Sequence, residues 1–341
     1  MIQNNFLLKN YSNFKIGGNA KYFLEIKSTE DLIHGLKLWK KISEKLPKDE
    51  QKVFILGGGT NLLVSDNGFD GLVIHNNIKF IEEKDGLVLV GAGVLIKDLL
   101  GFCIKNSWSG LEWAGGLPGT VGGAIRGNAG AFAGEIKDNT EEVISLDFQN
   151  LRTKKRRNKQ CYFGYRTSVF KNQGELQRQG LERPHHLLTR SDLVKRSDLV
   201  KDREIILAGA FKLIKGEKKK IEVEIEEKKS YRKNRHPLDY PNIGSIFKNI
   251  PLQNIPQKIA EEFKNSIKND PFPVLPVAKL IAFSNLKGER VGDAQVSEKH
   301  PNFIINLGNA KSEDVKKLIM KVKKAVKEKF AVTLEEEITI I

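Results

Sequence analysis

The sequence predicts a protein of mixed α and β structure with two or three domains. The 341 residues are enough for more than one hydrophobic core. Short apolar runs, typical of buried strands, alternate with longer segments in which apolar residues recur at helical spacing. Nine glycines within residues 110–135 indicate tight turns or close approach of two backbones.

The N-terminal third of the chain is predicted to place helices between strands. Residues 21–26 follow Gly17-Gly18 as a strand, and residues 29–46 form a helix capped by Ser28 or Thr29. Further strands are expected at 53–56, 62–65, 72–74 and, as a pair, within 79–94, and a second helix is expected at 95–106.

The rest of the chain continues this alternation. Residues 217–232 allow two interpretations, because IEVEIEE alternates like a strand while the Glu and Lys content favours a helix that ends before Pro237. We favour the helix. A later amphipathic helix, capped by Ser312, places six apolar side chains from Val315 to Phe330 on one face. Other strands are expected at 143–148, 204–214, 302–307 and the C-terminus, and other helices at 256–266 and 277–284.

Composition narrows the class of protein. The net charge of +15 suits nucleic acid, a polyanionic small ligand or simple solubility. The basic runs lack interleaved recognition aromatics, so nucleic acid is not expected as a partner. No apolar run is long enough to cross a membrane. The N-terminus lacks the pattern of a signal peptide, so a cytoplasmic location is expected.

Cysteine and histidine do not indicate a metal site. Cys103 and Cys161 cannot make a disulfide framework, and Cys103 lies in an apolar pattern typical of a core. The adjacent His185 and His186 have no evident third ligand. They fall within 172–203, a polar and basic segment with the direct repeat RSDLVK-RSDLVK, which we interpret as an inserted surface excursion.

Composition and local pattern do not decide the role of two glycine-rich stretches. Residues 110–135 fit either tight turns or a backbone-lined cradle for a large ligand. The triplet 57–59 follows a predicted strand, where consecutive backbone N–H groups can hold a phosphate or simply form a turn. No Gly-Lys-Ser/Thr follows the triplet, which excludes a Walker motif. No helix follows it either, which excludes the GxGxxG pattern.

Seven motifs occur together in one order. They are NFKIGGNAKYF (13–23), LGGGTNLLVSDNGFDGLVI (56–74), GLEWAGGLPGTVGGAIRGNAGAFAGE (110–135), FGYRTSVF (163–170), HPLDYPNIGSIFKN (236–249), GDAQVSEKHPNFIINLGNA (292–310) and LEEE (334–337). The set resembles the UDP-N-acetylenolpyruvoylglucosamine reductases (MurB), flavoenzymes of peptidoglycan precursor synthesis. The short spacing before GSIFKN is similar to the shorter type of this family, which lacks a loop with an extra substrate-gripping tyrosine.

The resemblance implies an α+β fold. It consists of a two-subdomain FAD-binding unit of the vanillyl-alcohol-oxidase (PCMH) type and a smaller α+β substrate-binding domain. The implied boundaries are 1–77 and 78–215 for the FAD-binding subdomains, with the insertion 172–203 in the second, and 216–341 for the substrate-binding domain. A monomer is expected.

The resemblance also implies a reaction. NADPH reduces FAD and leaves, and hydride then passes from flavin N5 to the β-carbon of UDP-N-acetylglucosamine enolpyruvate, which becomes UDP-N-acetylmuramate. Arg166 is implied to stabilise the enolate with its bidentate guanidinium, with Glu337 nearby. Ser245 is implied to protonate the α-carbon.

Ligand-binding residues follow from the same motif matches. Tyr165, Lys248, Asn249 and Gln295 are implied to contact the UDP-linked enolpyruvyl sugar. Glycine lets the backbone approach the FAD pyrophosphate where a Cβ would obstruct. The implied FAD-binding residues are Gly57, Gly58, Gly59, Thr60, Asn61, Pro118, Gly119, Thr120, Gly122 and Gly123. The positive net charge suits three anionic ligands, namely FAD, NADPH and a UDP-sugar.

Two positions depart from the family pattern. Glu336 stands where proline is common, so Glu336 and Glu337 both remain candidates for the carboxylate, although strand alternation puts Glu335 and Glu337 on one face. Thr339 stands where many members carry a substrate-binding arginine. These departures leave one alternative open, an FAD-binding protein of the same fold whose substrate site has decayed or been repurposed.

Overall fold

A computed structural model describes residues 1–171 and 204–341. The predicted insertion, with its repeat and the His185-His186 pair, lies outside the described residues. The described helices are α1 Thr29–Ser43, α2 Ile96–Lys105, α3 Val121–Gly127, α4 Ile136–Asn139, α5 Lys218–Arg235, α6 Gln257–Glu262, α7 Val277–Phe283 and α8 Ser312–Phe330.

The strands are short outside two main sheets. In the first half they are β1 Gln3–Leu7, β2 Asn19–Ile26, β3 Lys52–Leu56, β4 Leu62–Leu63, β5 Phe69–Asn76, β6 Ile81–Lys84, β7 Leu87–Gly91, β8 Trp108–Ser109, β9 Gly130–Ala131, β10 Gly134–Glu135, β11 Thr140–Asp147 and β12 Thr153–Arg157. They continue as β13 Glu204–Phe211, β14 Ile214–Lys215, β15 Ile250–Pro251, β16 Lys268–Asn269, β17 Pro273–Leu275, β18 Arg290–Val291, β19 Ala294–Val296, β20 Ile304–Asn306 and β21 Thr339–Ile340.

A four-stranded sheet in the order β1-β2-β5-β3 forms the N-terminal part of the molecule. β5 runs parallel to both β2 and β3, and β1 runs antiparallel to β2. α1 buries Leu32, Leu36 and Trp39 in the core shared with this sheet. The hydroxyl of Ser28 accepts a hydrogen bond from the Asp31 N–H at 3.0 Å. The predicted helix and its Ser28 cap are therefore confirmed.

An antiparallel five-stranded sheet, β12-β11-β13-β7-β6, follows. α2, α3 and α5 share its core, and α5 contributes Ile221 and Ile225. The helical interpretation of residues 217–232 is thus confirmed over the strand. Cys103 on α2 is buried as predicted, and burial raises the pKa of its thiol to about 12.

The C-terminal part consists of α8 and two small antiparallel sheets, β15-β17-β16 and β18-β19-β20. All six predicted apolar side chains of α8 are buried. The prediction that Ser312 caps this helix is wrong, because Lys311 holds the cap position and Ser312 is the first helical residue. Instead, the N–H and hydroxyl of Ser312 donate to Asp66 Oδ2 at 2.8 and 2.7 Å. This contact docks the start of α8 on the N-terminal part.

Packing crosses the implied domain boundaries. The predicted C-terminal strand is reduced to β21, which pairs in parallel with β4, so that Thr339 lies opposite Leu62. Phe14 and Leu63 are buried in the same core as α8. The division into 1–77, 78–215 and 216–341 remains a prediction.

Candidate functional site

Two glycine loops contact each other in the structure. The first glycine loop, residues 57–61, follows β3, and the second glycine loop, residues 118–123, leads into α3. A Cβ added at Gly58 would lie only 3.0 Å from the Cα of Gly119. Gly119 itself has a φ of +107°, and a Cβ there would lie 2.9 Å from the Thr60 hydroxyl oxygen. Glycine is therefore required for the two loops to touch.

The backbone of the second glycine loop is partly committed to the protein. The Thr120 side chain caps α3 by accepting from the Gly123 N–H at 3.3 Å. The Gly122 N–H donates to the Ala92 carbonyl at 2.9 Å. These two N–H groups already have partners. Any contribution of Gly122 and Gly123 to a ligand therefore lies in close approach rather than in donated hydrogen bonds.

The first glycine loop is joined directly to the C-terminal segment. The Asn61 side-chain amide donates to the Glu337 carbonyl at 3.1 Å. The Thr339 N–H donates to the Asn61 carbonyl at 3.0 Å. On the other side, the Asn13 N–H donates to the Gly59 carbonyl at 2.9 Å. Glu337 is thus held beside the loop that carries the glycine triplet.

Arg166 and Glu337 form an ion pair from distant parts of the chain. The Arg166 Nε lies 2.8 Å from the Glu337 Oε1, and the two side chains are 22% and 23% exposed. The Nε–H does not point at the oxygen, so the contact is an ion pair rather than an aligned hydrogen bond. Arg166 has a left-handed backbone with φ of 56°. Two hydrogen bonds between Gly164 and Thr167 close this turn.

The surroundings of Arg166 keep its guanidinium charged. Burial opposes the charge, but the Glu337 carboxylate, the Tyr165 hydroxyl and the carboxylates of Glu135 and Asp270 outweigh burial and raise the pKa of Arg166. A permanently charged, planar guanidinium is suited to hold a carboxylate or an enolate.

The three consecutive glutamates near the C-terminus have different partners. Glu336 forms an ion pair with Lys323 of α8 at 2.8 Å. Glu335 forms one with Lys248. This leaves Glu337 as the carboxylate that faces the arginine. Of the two carboxylates left open by the sequence, the geometry favours Glu337.

Ser245 lies in a segment that runs beside Glu337. It forms a single antiparallel bridge with Phe303. The next residue, Ile246, accepts the Glu337 N–H at 2.8 Å through its carbonyl. Gly244 has a φ of +82°, and a Cβ at that position would meet no atom within 4 Å. Open space therefore lies at Gly244, which directly precedes the half-buried Ser245.

Tyr165 connects the arginine turn with the C-terminal part. Burial is the main cause that raises its pKa to about 12, and the nearby backbone N–H of Asn249 opposes this rise. Its ring packs edge-on against Phe272 at 5.1 Å between ring centroids. The Asn249 side-chain oxygen accepts from the Val277 N–H at 3.3 Å. The predicted residues Tyr165 and Asn249 thus adjoin the arginine turn, as does Lys248 next to Asn249 in sequence.

Gln295 is the predicted substrate residue that the structure does not join to this cluster. It lies on β19, where its side-chain amide donates to the Gly288 carbonyl at 3.1 Å. Within residues 1–171 and 204–341, no hydrogen bond or ion pair is found between Gln295 and Arg166, Ser245 or Glu337. In this arrangement its side chain braces the β18–β19 hairpin.

Two cations near the site were not predicted. The Arg232 Nε donates to the Gly115 carbonyl at 2.9 Å, and its guanidinium lies 5.3 Å from the Phe132 ring centroid. Burial, and then the charge of Arg166, lower the pKa of Arg232. The Lys171 Nζ donates to the Arg166 carbonyl at 2.9 Å. Arg232 follows a lysine-rich run on α5. The sequence around Arg232 and Lys171 contains no pattern that distinguishes them from ordinary solvent-exposed cations.

Metal ligands and membrane spans were sought in the same part of the chain. No group of three or more His, Cys, Asp or Glu side chains in residues 1–171 and 204–341 could hold a metal ion. The helices in those residues also include none that is long and apolar enough to cross a membrane.

Comparison with known proteins identifies the family. The model for the C-terminal domain of UDP-N-acetylenolpyruvoylglucosamine reductase matches residues 236–341, and an FAD binding domain model matches residues 20–147. The reductase of Clostridium novyi is 33% identical over all of this chain, which covers 92% of that relative. The chain belongs to the UDP-N-acetylenolpyruvoylglucosamine reductase (MurB) family.

Other MurB proteins agree in sequence and structure. The Pseudothermotoga lettingae reductase is 35% identical over 98% of this chain and 95% of its own length. The crystal structure of MurB from Thermus caldophilus superposes with a TM-score of 0.69 at 27% sequence identity. The match covers 100% of this chain and 98% of the Thermus chain. The predicted α+β fold with an FAD-binding unit is thereby confirmed.

The glycine loops fit the FAD that MurB proteins use. At Gly58 and Gly119 a side chain would collide with the facing loop, so glycine at these two positions lets the loops that would border the cofactor come together. Arg232 adds a half-buried positive charge beside the stretch 110–135. This combination suits the anionic pyrophosphate of FAD.

Proposed function

We propose that this protein reduces UDP-N-acetylglucosamine enolpyruvate to UDP-N-acetylmuramate with NADPH and FAD. The observation that carries this proposal is the 2.8 Å pair of Arg166 and Glu337, which adjoins both the first glycine loop and the segment of Ser245. When bound, FAD supplies hydride transfer from NADPH to the β-carbon of the enolpyruvyl group. The residues of the chain supply charge stabilisation, a proton and binding.

Arg166 stabilises the negative charge that develops on the α-carbon and carboxylate of the substrate. Its guanidinium is charged and only 22% exposed, so the interaction is weakly screened by solvent. Glu337 orients this guanidinium through the ion pair. Since Glu337 also offsets part of the positive charge, the arginine is not left as an unpaired buried cation before substrate binds.

Ser245 donates the proton that the α-carbon needs. A serine hydroxyl is a poor acid in water, and it becomes effective only toward a strongly basic acceptor such as the enolate carbon. Open space lies at Gly244, the residue that precedes Ser245. Solvent returns the proton to Ser245 after the reaction.

Substrate binding is assigned to Tyr165, Lys248 and Asn249, which adjoin the arginine turn. Gln295 stays a candidate that requires the hairpin side chain to turn toward the substrate. Thr339 favours the second candidate function, an FAD-binding protein with a decayed or repurposed substrate site. A monomeric state, a cytoplasmic location and the absence of nucleic-acid partners remain predictions.

The test is an NADPH oxidation assay on the purified protein with and without the UDP-enolpyruvyl sugar. We expect a yellow protein that oxidises NADPH in a substrate-dependent way and gives a product two mass units heavier than the substrate. Bound flavin without substrate-dependent turnover would favour the decayed-site alternative. A colourless protein that regains neither flavin absorbance nor activity with added FAD would contradict the proposal.

A further inference from the structure

Lys171 is the half-buried cation closest in sequence to the proposed catalytic arginine. Its ammonium donates a 2.9 Å hydrogen bond to the Arg166 carbonyl, five residues earlier. Its own N–H donates to the Ser168 carbonyl at 3.0 Å. The Ser168 hydroxyl in turn donates to the Arg126 carbonyl at 2.7 Å. Lys171 therefore closes a short loop that begins at the arginine turn and is anchored on α3.

The Arg166 backbone needs such support. A left-handed conformation is unfavourable for a residue with a Cβ, so it persists only where the surroundings hold it. The hydrogen bonds between Gly164 and Thr167 hold the turn from one side. The Lys171 ammonium holds the carbonyl of Arg166 itself, the residue with the unusual φ.

The charge of Lys171 is set by a crowded environment. The charged groups that face it are Lys248, Arg126, Glu337 and Glu335. Burial, followed by the two cations, lowers its pKa to about 8, and the two carboxylates only partly compensate. Lys171 is thus charged at neutral pH but loses its proton in a mildly alkaline range where ordinary lysines keep theirs.

We propose that Lys171 is a positioning residue whose ammonium fixes the Arg166 turn and so aims the guanidinium at Glu337, an inference that rests on the proposed reductase function. Loss of the ammonium weakens a charge-assisted hydrogen bond and removes a positive charge near the same ion pair. Both effects act on the step in which Arg166 stabilises negative charge. Neither acts directly on the reduction of flavin by NADPH.

The experiment separates the two half-reactions by anaerobic stopped flow in Lys171→Met, Lys171→Arg and a control. Lys215→Met is the matched control, because the Lys215 Nζ also donates to a backbone carbonyl, that of Asn106, at 3.0 Å but on the exposed β14. We expect Lys171→Met to slow reoxidation by the UDP-enolpyruvyl sugar roughly 10- to 100-fold, the loss that a misplacement of about 1 Å causes. Flavin reduction and the control should change little, and Lys171→Arg should recover most of the rate.

The pH dependence of the reoxidation rate at low substrate concentration is the second measurement. Replacing a lysine with a purely structural role would not shift this pH dependence. We expect an alkaline fall in the wild type near pH 8, and its displacement to higher pH in Lys171→Arg because arginine keeps its charge. An identical alkaline fall in both proteins, or full reoxidation by Lys171→Met, would overturn the inference. If Lys171→Met fails to fold, the comparison of the pH profiles of the wild type and Lys171→Arg still tests the inference. Absence of reoxidation in the wild type would instead overturn the proposed function, and this inference with it.

Discussion

Replacement of Gly58 by alanine tests whether the contact between the two glycine loops holds FAD. The added Cβ would lie 3.0 Å from the Gly119 Cα and 3.5 Å from the Thr120 nitrogen. Because carbon atoms rest at about 3.5 Å or more, the loops must separate by roughly 0.5 Å. Overpacking of this kind costs ~1–3 kcal/mol. If that cost falls on the FAD-binding conformation, the affinity for FAD drops ~5- to 150-fold.

The assay measures flavin content after dialysis and the dissociation constant for FAD added to the apoprotein. Gly101→Ala is the matched control, since Gly101 lies in α2 and a Cβ there meets no atom within 4 Å. Alanine at that site should stabilise the helix by ~1 kcal/mol and leave FAD binding unchanged. Wild-type affinity for FAD in Gly58→Ala, with an unchanged melting temperature, would refute the reasoning about the loop contact.

Three further variants test other parts of the structure. Glu204→Gln should lower the unfolding free energy by ~3 kcal/mol in urea titrations, because it leaves the half-buried Arg156 without its 2.7 Å carboxylate partner. Burial disfavours the Glu204 charge, but the hydrogen bonds from Arg156 and Ser145 and the charges of Arg156 and Lys154 together outweigh burial and lower the pKa of Glu204. This stabilisation is therefore present above the unfolded-state pKa and is lost as the pH falls through the folded one. Asp66→Ala should cost ~1–3 kcal/mol in the same measurement, since Ser312 loses its acceptor; an unchanged midpoint would contradict that docking role. Glu337→Gln should slow substrate-driven flavin reoxidation ~100-fold and spare flavin reduction, whereas equal loss in both half-reactions would point to a general defect.

Local patterns predicted most of the secondary structure. The Ser28 cap and the apolar face of α8 depend on residues that are close in sequence, so both could be predicted without knowledge of the tertiary structure. The Ser312 cap was wrong because Asp66, 246 residues away, takes its hydroxyl. A serine before an apolar stripe has the same pattern whether it caps the helix or docks on another element.

The sequence predicted those site residues that belong to recognisable motifs. It did not predict the residues whose properties depend on burial in the folded protein. The Gly58 contact with Gly119 joins two motifs that are each glycine-rich, so their pairing could be expected. Lys171 and Arg232 gain their character from tertiary burial, which no local sequence pattern signals. Which carboxylate faces the arginine was likewise decided by a distant partner, since Lys323 on α8 pairs with the competing glutamate.

The most direct test of the account is anaerobic mixing of the reduced Ser245→Ala variant with the UDP-enolpyruvyl sugar. Ser284→Ala is the control, because the Ser284 hydroxyl only donates to the Leu280 carbonyl at the end of α7. We predict that NADPH reduces the flavin of both variants at the wild-type rate. Reoxidation by the sugar should slow by ~100-fold or more in Ser245→Ala alone. Reoxidation of reduced Ser245→Ala at the wild-type rate would contradict the assignment of the proton to Ser245.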